Sequence, residues 1–238
     1  MTEMLVLPFY VVMDVSYSMT QASQNSDGSV RAPIESGNDV VKEVKIALEE
    51  SPLLSDKVRF SLIDFADDAQ VVIPMCDLTT VSPQDIPTLT ARGGTSYAAA
   101  FTLLKRQISQ DVAQLKADGH KVHRPAVIFL TDGETTDDDP VWKNAFQALT
   151  DSAFKERPNF IPFGVAQAKK ATLDQLVFPQ GKMRSFIQQN PNDAANGIKA
   201  MAEILIGSIV GSVTSFSEGS ESGAFMLPEP EEDEDVWL

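Results

Sequence analysis

Three short clusters carry the side chains that could do chemistry. Asp14-Val15-Ser16-Tyr17-Ser18 follows an apolar run, Gly93-Gly94-Thr95-Ser96 opens a helical pattern, and Thr131-Asp132-Gly133 follows a second apolar run. Asp14, Ser16, Ser18, Thr95 and Asp132 offer two carboxylates and three hydroxyls, and donors that are all oxygen select a hard divalent cation over zinc or copper. Magnesium is the first expectation, with manganese or calcium as alternatives. It wants six oxygens, keeps waters readily, and is commonly held by one or two carboxylates while an outside group completes the shell. With one or both acids acting through water, the ion stays electrophilic on its open side and attracts an external carboxylate. Gly93 and Gly94 are expected to let the backbone come close to the ion, and the helix N-terminus behind them favours an arriving anion.

The elements that must position these clusters are legible in the hydrophobic pattern. Residues 5–13 and 126–131 are short, nearly continuous apolar runs, as expected of strands covered on both faces. Each ends on an acid, Asp14 or Asp132. After a polar stretch at 20–37, Val40, Val44, Ala47 and Leu48 mark a helix that stops before Ser51-Pro52. Residues 58–65 alternate and 71–75 follow across a polar turn, which predicts a hairpin whose second strand lies at an edge because of Pro74. Tyr97, Phe101, Leu104, Ile108, Val112 and Leu115 keep the helical period. A helix from about Pro140, a strand at 160–165, a short helix at 173–177, a weak strand at 184–188 and a last helix at 192–213 complete the reading. Alternating strands and helices imply an α/β fold, a doubly wound, mostly parallel sheet with one antiparallel edge and helices on both faces. Ligands in such sheets sit beyond the carboxyl ends of the strands, where all three clusters fall.

Composition narrows the function classes. The chain has 238 residues, 43% hydrophobic and 22% charged, which fits one globular domain. Its 34 acids against 19 bases give a net charge of −15, so neither nucleic acid nor an anionic membrane is an expected partner. The acids are uneven: eight fall in 218–238, a segment without Lys or Arg. The expected organisation is a domain over 1–216 and an acidic tail over 217–238. Cys76 stands alone, which excludes an internal disulfide and suits a reducing, cytoplasmic setting. The run at 5–13 lacks the flanks of a signal peptide, and 201–213 is shorter than the roughly 20 residues a membrane crossing needs.

Together, Asp14-Val15-Ser16-Tyr17-Ser18-Met19, Gly93-Gly94-Thr95-Ser96 and Phe129-Leu130-Thr131-Asp132-Gly133-Glu134 resemble the three loops of the metal-ion-dependent adhesion site in von Willebrand factor A (VWA) domains. A closer likeness, over about 5–216, is to small stand-alone bacterial members of the tellurite-resistance TerY type; it includes Pro33-Ile34, residues 74–78, Arg124-Pro125 and the serine-spaced 208–216. The resemblance implies a Rossmann-like VWA fold in which Ser16, Ser18 and Thr95 touch the metal through their hydroxyls. Asp14 and Asp132 would act directly or through water, and a partner's Asp or Glu would take the last position. It further implies a non-enzymatic interaction module associated with a protein kinase and a protein phosphatase in stress-response or phage-defence systems. Two departures stand out: Tyr17 occupies a position where Gly is usual, and the first loop, at 20–32, is long.

The rival class is a metal-dependent phosphohydrolase using the same loops. A phosphotransferase with an aspartyl nucleophile would carry Asp-x-Asp after the first strand, but Ser16 stands at the second position. Phosphate-binding glycine loops and the nucleophile elbow are absent from the sequence, and His120 and His123, the only histidines, share a polar turn with no third ligand nearby. No catalytic residue is assigned. The acids at 137–139 read as helix capping before Pro140, and Asp64, Asp67 and Asp68 as a solvated hairpin turn. The acidic tail reads either as a solubilising charge run or, because Val236, Trp237 and Leu238 put apolar anchors beside the acids, as a docking peptide for a kinase or phosphatase or for the metal of another copy.

Overall fold

The computed structural model describes residues 4–25, 28–217 and 226–227. In chain order the strands and helices are β1 (Leu5–Asp14), β2 (Ser23–Gln24), β3 (Val30–Arg31), α1 (Pro33–Glu49), α2 (Pro52–Lys57), β4 (Val58–Phe65), β5 (Ala69–Cys76), α3 (Tyr97–Ala117), β6 (Lys121–Val122), β7 (Ala126–Thr131), α4 (Asp139–Thr150), β8 (Asn159–Gly164), α5 (Lys170–Leu173), β9 (Phe186–Ile187) and α6 (Ala194–Ser217). The main sheet runs β5-β4-β1-β7-β8-β9, and β6 also pairs with the start of β1. Every pairing in it is parallel except β4 with β5, so the expected hairpin supplies the antiparallel edge and Pro74 lies in it.

Apolar side chains alternate between two covered faces of the central strand. Phe9, Val11 and Met13 of β1 pack with Val40, Val44, Ile198 and Leu205 of α1 and α6. Tyr10 and Val12 face the other way, into a cluster with Phe101, Ile108, Trp142 and Phe146 of α3 and α4. Both faces being covered explains why β1 reads as an unbroken apolar run. Phe65, Tyr97, Phe101, Phe129 and Phe160 meet ring to ring in the second cluster. Each such fully buried ring contributes about 1.5–3 kcal/mol relative to leaving it in water.

Several boundaries differ from the sequence pattern for local reasons. α1 starts at Pro33, seven residues before the first periodic valine, because Pro33 suits the first helical turn and the Glu35 carboxylate accepts from the Ala32 backbone N–H at 2.9 Å. The polar stretch before it pairs with itself as β2 and β3. The weak strand at 184–188 contracts to β9, and the short helix at 173–177 begins earlier, as α5 and a following 3-10 turn at Asp174–Leu176. The last helix, expected at 192–213, is α6 at Ala194–Ser217; within it Ala194–Val213 is long and apolar enough to cross a membrane by length and composition, yet 56% of its most apolar window is buried against the rest of the chain. The expected tail, apart from Ser217, Met226 and Leu227, lies outside the described residues.

Candidate metal centre

Strand register brings two of the clusters together. Met13 of β1 is level with Leu130 of β7, so Asp14 and Asp132 leave adjacent central strands at the same sheet edge. A parallel pairing of two buried strands does this without any contact between the loops themselves. The third cluster is tied on by backbone: the Arg92 N–H donates to the Val15 carbonyl at 2.7 Å and the Tyr17 N–H to the Gly93 carbonyl at 3.2 Å.

The side chains and the Ser16 backbone N–H form one hydrogen-bonded run. Asp14 is fully buried; its Oδ1 accepts from the Ser16 N–H at 2.8 Å and its Oδ2 from the Thr131 hydroxyl at 2.7 Å. The Ser16 and Ser18 hydroxyl oxygens are 2.9 Å apart, and Ser18 donates to Asp132 Oδ1 at 2.8 Å. Asp14, Ser16, Ser18 and Asp132 are therefore gathered at one point. Tyr17, between the serines, has its side chain 65% exposed, standing in solvent rather than in this run.

Thr95, just before α3, is not hydrogen-bonded to this run among the described residues. It is buried, and its carbonyl accepts from the Thr136 N–H at 2.8 Å and from the Thr135 and Thr136 hydroxyls, each at 3.0 Å. Capping of α3 falls to its neighbour: Ser96 Oγ accepts from the Ala99 N–H at 3.1 Å. Among the described residues no hydrogen bond ties the Thr95 hydroxyl, which leaves its lone pairs uncommitted.

Two buried carboxylates this close strain their ionisation. Burial first, then the charge of Asp132, push Asp14 up to about 7, against which the Ser16 and Thr131 hydrogen bonds act. Burial likewise raises Asp132, while the Ser18 hydrogen bond lowers it. A cation between them would relieve both effects. The donor set, two carboxylates and three hydroxyls with no thiolate or imidazole, fits a hard ion, and among the described residues no group of three or more His, Cys, Asp or Glu side chains gathers elsewhere as an alternative.

Three roles differ from expectation. Gly93 and Gly94 make room for Asp67: a Cβ on Gly93, where φ is 55°, would strike its Oδ2, and one on Gly94 would lie 2.8 Å from its Oδ1. Asp64 is no solvated turn residue but is buried, paired with Arg92 Nη2 at 2.7 Å. Asp137 does cap a helix, but the helix is α3, not the α4 it precedes: its Oδ2 accepts from the Ala98 N–H at 2.8 Å and its Oδ1 from the Ser96 hydroxyl at 2.9 Å. These second-rank contacts link distant segments through polar side chains, which hydrophobic periodicity does not register.

The family model of the von Willebrand factor type A domain matches residues 9–134, a little over half the chain and all three loops. The chain belongs to the von Willebrand factor type A domain family. The family is one of metal-dependent adhesion and interaction modules. Among solved structures, a von Willebrand factor type A protein from Catenulispora acidiphila aligns over 85% of this chain and 43% of its own length, at 15% identity and a TM-score of 0.59. BatB from Bacteroides thetaiotaomicron aligns over 86% and 98%, at 18% identity and a TM-score of 0.53. Proximal thread matrix protein 1 from the mussel byssus, with a zinc-occupied metal-ion-dependent adhesion site, aligns over 87% and 48%, at 14% identity and a TM-score of 0.54. At these identities the likeness establishes the fold alone. This VWA chain spans less than half the length of the first and third of these proteins. No curated protein sequence matches it.

Proposed function

We propose that Asp14, Ser16, Ser18, Thr95 and Asp132 of this VWA domain hold a divalent cation, magnesium first, and that the domain captures an acidic group of a partner protein through it without catalysing a reaction. The observation that carries the reading is the hydrogen-bonded run from Asp14 through Ser16 and Ser18 to Asp132, which gathers two buried acids from opposite ends of the matched region. When bound, the cation would supply a Lewis-acidic site for an incoming carboxylate oxygen. The chain's own residues do the rest: Asp14 is held rigid from both oxygens by Ser16 and Thr131, Asp132 is oriented by Ser18, and Thr95 is presented by the carbonyl clamp of Thr135 and Thr136. Tyr17, exposed beside the centre, offers the partner an aromatic contact at the rim.

The domain is taken as 1–216 with an acidic tail at 217–238. Its likeness to TerY-type proteins supports a bacterial cytoplasmic setting with a kinase and a phosphatase in stress response or phage defence. The non-enzymatic reading draws on the family, whose domains are generally interaction modules. Affinity capture from the native host with Mg²⁺ or with EDTA tests the proposal: the reading expects a partner retained only with metal and lost in Asp14→Ala. A partner held equally in EDTA overturns it. A colorimetric phosphatase assay on the wild type and Asp14→Ala decides the rival reading, which metal-dependent turnover lost in the mutant would establish.

A further inference from the structure

On the face of the sheet away from α1 and α6, an open groove of about 610 Å³ runs between α3 and α4. Phe101, Ala145, Ala148 and Phe154 give it an apolar lining, and Lys105 and Arg106 supply the charge. Lys105 Nζ stands 5.4 Å from the centroid of the Phe154 ring, and among the described residues neither Lys105 nor Arg106 forms an ion pair. Two adjacent cations outside any ion pair, one of them over an aromatic ring, thus stand on the surface of a chain of net charge −15. An adjoining depression of about 530 Å³ shares Thr102 and Arg106 but carries Asp67 and Asp68, so an acidic ligand is favoured only at the Lys105 and Phe154 end.

The chain contains a ligand of this chemistry. Six acids lie between 229 and 235, followed directly by Val236, Trp237 and Leu238. Trp237 suits a groove floored by phenylalanine and alanine, and Glu234 and Asp235 would stand beside Lys105 and Arg106. Reach decides which copy is bound. Leu227 packs on the core cluster of α1 and α6, and the Met226 N–H donates to Ser212 Oγ of α6 at 2.9 Å, so the segment departs from the opposite face. From 228 to 237 the chain extends at most about 35 Å. Rounding a helix-sheet-helix sandwich about 30 Å thick, with about 12 Å of half-sheet to cross on each face of a seven-stranded sheet six strands wide, needs about 50 Å.

We infer that the acidic 228–238 segment of one copy docks in the α3–α4 groove of a second copy, with Trp237 as the anchor and Lys105 and Arg106 as its charge partners. Reciprocal exchange would make the contact self-complementary, two tails per pair. The inference uses no residue of the cation centre, and its test is run in EDTA so that its failure leaves the cation reading untouched.

The test is photocrosslinking of the full chain with p-benzoylphenylalanine in place of Trp237, in a mixture of light and ¹⁵N-labelled protein. The expected result is light-to-heavy crosslinks to peptides spanning 101–110 or 145–154. Their yield should fall about tenfold in Lys105→Glu/Arg106→Glu, the effect of about 1.4 kcal/mol of lost and reversed charge contact. Circular dichroism confirms that this variant is folded; should it not be, Lys105→Gln/Arg106→Gln takes its place with the same expectation in direction, and 0.5 M salt should lower the wild-type yield. Crosslinks confined to one chain, crosslinks to the loops around Asp14 and Asp132, a yield indifferent to the charge variants, or no crosslink would each overturn the inference.

Discussion

Ser18 and Asp132, 114 residues apart, are joined by a 2.8 Å hydrogen bond from the serine hydroxyl to carboxylate Oδ1. In the absence of a cation this hydroxyl, and the Ser16 hydroxyl behind it, supply the partial positive charge that a buried carboxylate needs. A hydroxyl offers less than a full charge, so the pair Asp14 and Asp132 remains poorly compensated.

That shortfall sets the pH dependence of the cation-free protein. Asp14 is pushed up to about 7, far above an ordinary carboxyl, and Asp132 is raised in the same direction. Between the ordinary range and about 7 the folded chain holds more protons than the unfolded one, so stability increases as pH falls through 7 and is lost as pH rises through it. The gap for Asp14 limits the effect to about 4 kcal/mol. Asp39 works in the opposite sense: Arg31 holds its carboxyl low, and its contribution disappears below about pH 4. In EDTA, the urea midpoint is expected to be higher at pH 5.5 than at pH 8; the reverse order would contradict this account.

Asp14→Asn separates the two roles of the residue. The amide oxygen can still accept from the Ser16 N–H, and the amide nitrogen can donate to Thr131 Oγ1, so the hydrogen-bond pattern survives without the charge. The expected outcome is a metal-free protein melting a few degrees higher than wild type at pH 8. Wild type should gain about 2.7 kcal/mol from Mn²⁺ or Mg²⁺ at a hundred times its Kd, and the variant nothing. Thermal scans with and without metal measure both; an equal metal shift in the variant would remove Asp14 from the centre.

Asp64 and Arg92 make a structural pair beneath the loop that precedes α3. Asp64 is 3% exposed and its Oδ1 lies 2.7 Å from Arg92 Nη2, while Arg92 also reaches the exposed Asp68 at 3.1 Å. Arg92→Ala strands a buried charge and is expected to cost about 3 kcal/mol in chemical denaturation, whereas Asp68→Ala should cost under about 1 kcal/mol. Similar losses from the two would show that burial of Asp64 is not what matters.

Much of this was legible in the sequence, and what was not has a common cause. The apolar runs that became β1 and β7 announced their burial, and an acid at the end of each announced the sheet edge where Asp14 and Asp132 meet. Period alone could not start α1 at Pro33, because its first turn is fixed by Glu35 and a proline rather than by apolar spacing. Nor could it show Asp67 of the β4–β5 turn lying against Gly93 and Gly94, or Asp64 of β4 under Arg92, since each is joined to a loop some 26 or 28 residues away. Asp137 was read as a cap from its place before Pro140, correctly in kind; which helix it serves is decided by how the loop after β7 folds back over α3.

Asp137 is where that fold-back can be tested. Its carboxylate takes the Ala98 N–H and the Ser96 hydroxyl, and the one Thr135 hydroxyl proton is shared between Asp137 Oδ2 and the Thr95 carbonyl, each 3.0 Å away. One side chain therefore caps α3, favours its N-terminal dipole, and steadies the segment that presents Thr95. Asp137→Ala is expected to lower stability by about 1–2 kcal/mol and to weaken Mn²⁺ binding in titration calorimetry, although Asp137 is not itself a proposed ligand. Asp137→Asn, which retains an acceptor for the Ala98 N–H, should recover most of both losses. If the alanine variant loses stability while its metal affinity stays at the wild-type value, Thr95 is positioned by the N–H and hydroxyl of Thr136 alone and the link through Thr135 carries no energy to the centre.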